Sequence, residues 1–143
     1  MGIAHPKKIF HLILKQILVF KTLKKKSQIL FFNIIYHASK VAGFSKIIFN
    51  NPNIHISDKH VTKMERLYLL KEFYGLEIGL KLMDFNTKLA QEKKQSGIWL
   101  EVWIENFRAI KFYKKVGFEI VGKANFTVSE THSNPNYIMF LEF

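Results

Sequence analysis

The chain has 143 residues, 48% of them hydrophobic with 14 Phe, which is enough for one domain with its own core. It has no Cys, which excludes disulfides, thiolate nucleophiles and zinc–thiolate centres, and its six His (5, 11, 37, 55, 60, 132) show no paired ligand spacing, so no metal site is expected. The net charge of +11 is lopsided: residues 1–57 hold nine Lys and no acid, whereas residues 58–143 hold 13 basic and 11 acidic residues.

The front of the chain carries the charge imbalance. Residues 6–25 (PKKIFHLILKQILVFKTLKK) contain an apolar run from Ile9 to Phe20 that is broken by His11, Lys15 and Gln16. That run is shorter than the roughly 20 apolar residues needed to cross a bilayer, and no small-residue cleavage site follows it. We expect residues 1–27 to form one basic helix packed on the domain, with a lysine-rich outer face. A helix lying on a membrane surface, or a nucleic-acid adaptor, stays open as an alternative. The Lys are not interleaved with Arg, and no recognition motif accompanies them. Neither nucleic acid nor membrane is therefore the expected partner.

Residues 28–36 (QILFFNIIY) read as a buried strand, residues 37–40 as a turn, and residues 41–49 (VAGFSKIIF) as the second arm of a hairpin. Residues 50–60 are turn-rich. Thr62–Leu70 alternates as a third strand, with Glu65, Leu67 and Leu69 on one face and Arg66, Tyr68 and Leu70 on the other. The periodicity predicts a helix over residues 75–94, with Ile78, Leu82, Phe85 and Leu89 as its buried stripe and Ser96-Gly97 as its stop. Ile98–Ile104 reads as a strand, and a second helix runs from Asn106 to Val116 with Gly117 as a left-handed stop. Phe118–Val121 and Tyr137–Phe143 close the sheet. This order gives an α/β domain with a mixed sheet.

A strand, a glycine-bearing turn and a helix over Leu67–Leu82 make a candidate phosphate cradle. A helix N-terminus presents free N–H groups and the positive end of its dipole. Gly75 and Gly79 would let a diphosphate approach the backbone, although two glycines before a helix also read as a turn and a packing contact.

Two segments carry a resemblance. ERLYLLKEFYGLEIGLKL and IWLEVWIENFRAIKFYKKVGF resemble the GNAT superfamily of acyl-CoA N-acyltransferases. The first is similar to the family's strand, [QR]-x-x-G-x-[GA] loop and helix. The second is similar to its N-x-x-A-x-x-F-Y-x-x-x-G-F pattern, here Asn106, Ala109, Phe112, Tyr113, Gly117 and Phe118. The tail NFTVSETHSNPNYIMFLEF and the hairpin FFNIIYHASKVAGFSK also look like the bacterial polyamine-acetyltransferase branch.

The resemblance implies a GNAT-like α+β fold: a mixed, mostly antiparallel sheet flanked by helices, with the usual N-terminal strand and helices reduced. It implies a domain over residues 28–143 behind the basic segment 1–27. It implies acetyl-CoA as co-substrate, a primary amine on a small molecule or peptide as acceptor, a cytoplasmic location, and homodimerisation as one option. Backbone groups of Leu67, Tyr68 and Leu69 would pair with the pantetheine arm at a splay in the sheet. Tyr74, Gly75, Leu76, Glu77, Ile78 and Gly79 would wrap the diphosphate. Asn106 would contact the cofactor while also reading as a helix N-cap.

Tyr113 would protonate the departing thiolate, whose charge grows as the thioester breaks; its alternative is core packing. Glu65 would orient or deprotonate the amine; its alternative is a surface carboxylate paired with Lys or Arg. Glu101 and Glu130 are weaker candidates, and Trp99 and Trp103 read as packing residues.

Two positions depart from the pattern. The loop's usual Gln or Arg is Tyr74, and its first Gly is Glu77, a negative group beside a diphosphate. A folded, non-catalytic member of the family is therefore the competing reading.

Overall fold

The computed structural model describes residues 12–23, 26–75, 77–127 and 129–143. Nine elements follow in chain order: β1 (Leu12–Leu23), β2 (Lys26–His37), β3 (Lys40–Ile48), β4 (Thr62–Leu69), α1 (Ile78–Glu92), β5 (Gly97–Trp103), α2 (Phe107–Val116), β6 (Glu119–Thr127) and β7 (Ser133–Glu142). A short 3-10 turn, Lys71–Phe73, precedes α1. The seven strands form one sheet in the order β1-β2-β3-β4-β5-β7-β6. Every neighbouring pair is antiparallel except β4 and β5, which run parallel. This is the expected mixed, mostly antiparallel α+β architecture.

The front of the chain differs from expectation. Over residues 12–23 the expected helix is a strand, β1, paired with β2 from Leu12↔His37 to Leu23↔Lys26. The remaining residues of that segment up to residue 25 lie outside the described ones. Ile17, Val19, Phe20 and Thr22 favour a pleated surface, and a full-length partner strand satisfies the backbone in register. Tertiary pairing thus overrides a pattern that helical spacing also fits.

The β2–β3 hairpin forms as expected. Ala38 and Ser39 at its tip have φ of 49° and 68°. Two successive positive φ values match the right-handed twist of the flanking strands.

Both helices pack on one face of the sheet. Met83 and Ala90 of α1 and Ile110 of α2 bury against Ile47, Met64, Ile98, Leu100, Val102 and Met139. On the opposite face Ile56 and Val61 cover Trp99 and Ile138. The buried stripe of α1 is Ile78, Gly79, Leu82, Met83, Asn86 and Ala90. Phe85 and Leu89, expected at its centre, are half-buried at its margin.

The stripe is turned because Asn86 has polar partners in the sheet. Its Oδ1 accepts from Asn33 Nδ2 at 2.7 Å and from Ser45 Oγ at 3.0 Å. All three residues are fully buried. Such a network fixes the register of helix on sheet, because a slipped helix would leave several polar groups unpaired. The stop of α1 also differs from expectation. Lys94, with φ 56°, makes the left-handed turn, and Gly97 begins β5.

Replacing Asn86 with Ala should cost about 2 kcal/mol or more, since inside the core the Ser45 hydroxyl loses its acceptor and the Asn33 amide keeps only the longer bond to Ser45 Oγ. Urea unfolding of the purified variant checks this. A change below about 0.5 kcal/mol, the size typical of a surface site, would contradict it.

Candidate active site

The site begins where two parallel strands part. β4 and β5 pair only at Thr62↔Ile98 and Lys63↔Trp99. A part-buried clamp holds them there: Gln95 Oε1 accepts from Thr62 Oγ1 at 3.0 Å and from Asn50 N at 3.0 Å. Gln95 Nε2 in turn donates to Asn50 Oδ1 at 2.9 Å. Beyond this base, residues 64–69 keep their ladder with β3 but have no strand partner on the β5 side among the described residues.

A bulge sets what faces the opening. Lys46 pairs with Arg66, and Ile47 pairs with Met64, which leaves Glu65 as the extra residue. Strict alternation would have placed Glu65 in the row of Leu67 and Leu69. The bulge instead puts Met64, Leu67 and Leu69 opposite Ile47, Ser45 and Gly43. Glu65 leans the other way, and its carboxylate lies 3.0 Å from Lys46 Nζ.

Two cavities meet at this opening. The first, of about 570 Å³, is lined by Leu67, Tyr68, Leu69, Tyr74, Gly75, Glu77, Ile78, Gly79, Asn106 and Tyr113. The structure therefore brings together the residues expected to hold the cofactor, except Leu76, which lies outside the described residues. The second, of about 450 Å³, holds Glu65, Arg66, Glu101 and Trp103. Leu67, Tyr68, Asn106, Ala109 and Tyr113 line both cavities. Tyr113 and Glu65 thus border one cleft. Glu130 is exposed, Trp99 is core, and Trp103 is 44% exposed at the cleft.

The segment before α1 has a donor set that would fit a phosphate. Gly75 has φ 81°, with open space where a side chain would sit. Glu77 caps α1 in the left-handed region, with φ 60° and ψ 12°, and its side chain makes no capping hydrogen bond. The first N–H groups of α1 are therefore not taken by that carboxylate. Gly79 lines the groove and also makes the packing contact that was its alternative reading. A Cβ there would press on Leu69 Cδ1 at 3.1 Å, so this glycine lets α1 lie close on β4.

Two cations that sequence reading missed, Arg108 and Lys115, line the same groove. The guanidinium of Arg108 stacks 3.9 Å from the Tyr74 ring centroid. The signal was available, since Arg108 follows the helix cap Asn106 by two residues. A ligand bearing a diphosphate suits this combination of open backbone, helix N-terminus and cations.

The second helix places the remaining groups. Asn106 Oδ1 accepts from Ala109 N at 3.3 Å, and Gly117 ends α2 with φ 117°. Both caps stand as expected. Phe112 and Phe118 rings flank Tyr113, each 5.5 Å away by centroid. Burial among them pushes the Tyr113 phenol up to about 12.

The sequence profile of the acetyltransferase (GNAT) family matches residues 5–118. The chain belongs to this family.

Among curated relatives, an uncharacterised N-acetyltransferase of Mycobacterium bovis is 29% identical over 106 residues, 74% of this chain and 63% of the relative. The chain thus spans about 63% of the length of that relative. Among solved structures, Ard1 from Thermoplasma volcanium superposes with a TM-score of 0.64 at 26% identity, covering 78% of this chain and 69% of that one. Arabidopsis thaliana Naa50, solved with the bisubstrate analogue CoA-Ac-MVNAL, gives 0.62 at 25% identity, covering 78% and 72%.

Two outcomes follow for this GNAT chain. Glu77→Gly should raise stability by about 1 kcal/mol, because Gly carries no Cβ penalty in the left-handed region. Thermal unfolding without ligand measures this, and a lower midpoint would contradict it. Tyr113 gives a pH dependence of known sign. Its folded pKa lies above the ordinary value of 10, so between about pH 10 and 12 the folded state keeps a proton the unfolded state has lost. Stability from this group is intact below pH 10 and is lost as pH rises through that window. Tyr113→Phe should flatten this part of a stability–pH profile measured by denaturant titration, and an unchanged slope would count against it.

Proposed function

We propose that this GNAT chain transfers an acetyl group from acetyl-CoA to a primary amine by direct attack. The observation that carries this reading is the junction at Tyr113, which borders both the phosphate-loop groove and the cleft holding Glu65. When bound, acetyl-CoA supplies an acyl group already activated as a thioester. The chain's own residues do the rest.

The open edge of β4 offers backbone groups of Leu67, Tyr68 and Leu69 to an extended arm, as an added strand would be received. Tyr74, Gly75, Glu77 and the first turn of α1 line the groove that would receive the diphosphate. Tyr113 keeps its proton at neutral pH and can donate it to a developing thiolate. Its aromatic neighbours Phe112 and Phe118 hold the ring in place at the junction of the two cavities.

An ammonium group cannot attack a thioester, so the acceptor must lose a proton. We assign this to Glu65, a reading supported by its place in the cleft that Tyr113 borders and by Lys46, which holds its carboxylate at 3.0 Å. Two features favour a monoamine or a peptide α-amine as acceptor. Glu65 is already neutralised by Lys46, and Arg66 lines the same cleft. A polyamine, suggested by the likeness of the tail and the hairpin to that branch, would need further exposed acid such as Glu101. Use of acetyl-CoA favours a cytoplasmic location. No helix among the described residues is long and apolar enough to cross a membrane.

The competing reading is a folded but non-catalytic member, and Glu77 favours it, because a strained acid sits where the cradle needs none. Titration calorimetry with acetyl-CoA, followed by transfer of labelled acetyl to a panel of amines, separates the two. Saturable binding with turnover supports the transferase. In that case Tyr113→Phe should lower kcat by about 100-fold while the Kd for acetyl-CoA stays unchanged. Absence of heat at millimolar acetyl-CoA removes the transferase reading. Binding without turnover on any amine favours the second.

A further inference from the structure

The groove has two walls, and its cations and its anion lie on different ones. On the loop wall Tyr74 is neutral and Glu77 is negative. On the α2 wall Arg108 and Lys115 are positive. Arg108 is the second residue of α2, where a cation opposes the helix dipole and weakens the helix. Local helix stability does not explain its presence. No carboxylate among the described residues forms an ion pair with it. It reaches across the groove instead, and its guanidinium lies 3.9 Å from the centre of the Tyr74 ring.

Stacking on an aromatic face fixes the plane of a guanidinium and leaves its edge N–H groups free. That edge matches two oxygens of one phosphate. The stack therefore presents a pre-oriented fork over a groove bordered by Gly75 and the N-terminus of α1.

We propose that Arg108, seated on Tyr74, is the phosphate-binding cation of this site, offsetting Glu77 from the opposite wall. Resting on the acetyl-CoA reading above, the assignment turns Tyr74 from a defect in the loop into the seat of the clamp. The shared chemistry is a phosphate of the coenzyme, in its diphosphate or on its ribose.

Titration calorimetry of the full chain with CoA, dephospho-CoA and pantetheine tests the clamp. Arg108→Gln is the main variant, because it sits on an exposed helix turn and its folding can be checked by thermal unfolding. We expect it to weaken CoA binding tenfold or more and to leave pantetheine binding within twofold of wild type. Arg108→Lys should recover part of the loss, because an ammonium keeps the charge without the fork. Tyr74→Leu should weaken CoA by a smaller factor than Arg108→Gln. An equal loss with dephospho-CoA assigns the clamp to the diphosphate; a loss with CoA alone assigns it to the ribose phosphate, and either supports a phosphate clamp.

Wild-type CoA binding with an Arg108→Gln value within twofold overturns the clamp and leaves the transferase reading standing. Equal losses with CoA and pantetheine overturn it as well, by marking Arg108 as structural. Wild-type protein that binds neither CoA nor dephospho-CoA ends both.

Discussion

The site depends on β4 and β5 being held together at one end and apart at the other. Parallel strands usually pair along their length, so a ladder of two residue pairs needs a cause at each end. At the base, the buried Gln95 ties the buried Thr62 to Asn50 at the surface, and Ser96 N donates to the His60 carbonyl at 2.8 Å. Beyond it, the bulge at Glu65 bends β4 away while β3 still holds its other edge. The result is a strand edge with unspent backbone groups at the mouth of two cavities. Unpaired edges are a liability in most sheets. Here the edge opens onto a groove, where a ligand can use it.

The opening also fixes which side chains meet. Tyr113 comes from α2 and Glu65 from β4, and they share a cleft only because the strands diverge beneath α2. The aromatic neighbours that hold Tyr113 are Phe112 and Phe118, parts of the same helix–turn–strand unit. One short segment thus supplies the cap Asn106, the phenol, the stacked Arg108 and the glycine stop. Its cap and its glycine stop are local signals, which is why they were readable in a single sequence.

Other parts were less readable, for physical reasons. The hairpin, the two helices and the caps Asn106 and Gly117 follow from local patterns that agree with the global fold. β1 does not: LILKQILVFKTL fits either period, and a partner strand decided it. The bulge at Glu65 is invisible to alternation, because it arises from the register against β3. Asn86 occupies an apolar stripe only because Asn33 and Ser45 lie across from it. Arg108 gains its place from the Tyr74 ring, which lies on another element. For the bulge, Asn86 and Arg108 the missing information was a partner distant in sequence; for β1 it was the adjoining strand β2.

Amide hydrogen exchange on the full chain, with and without saturating CoA, tests the open edge most directly. The account predicts added protection at residues 67–69 and 77–79, while the β2–β3 ladder keeps its rates. Unchanged exchange at residues 67–69 with the coenzyme bound would mean that the parted strands are not where it lies.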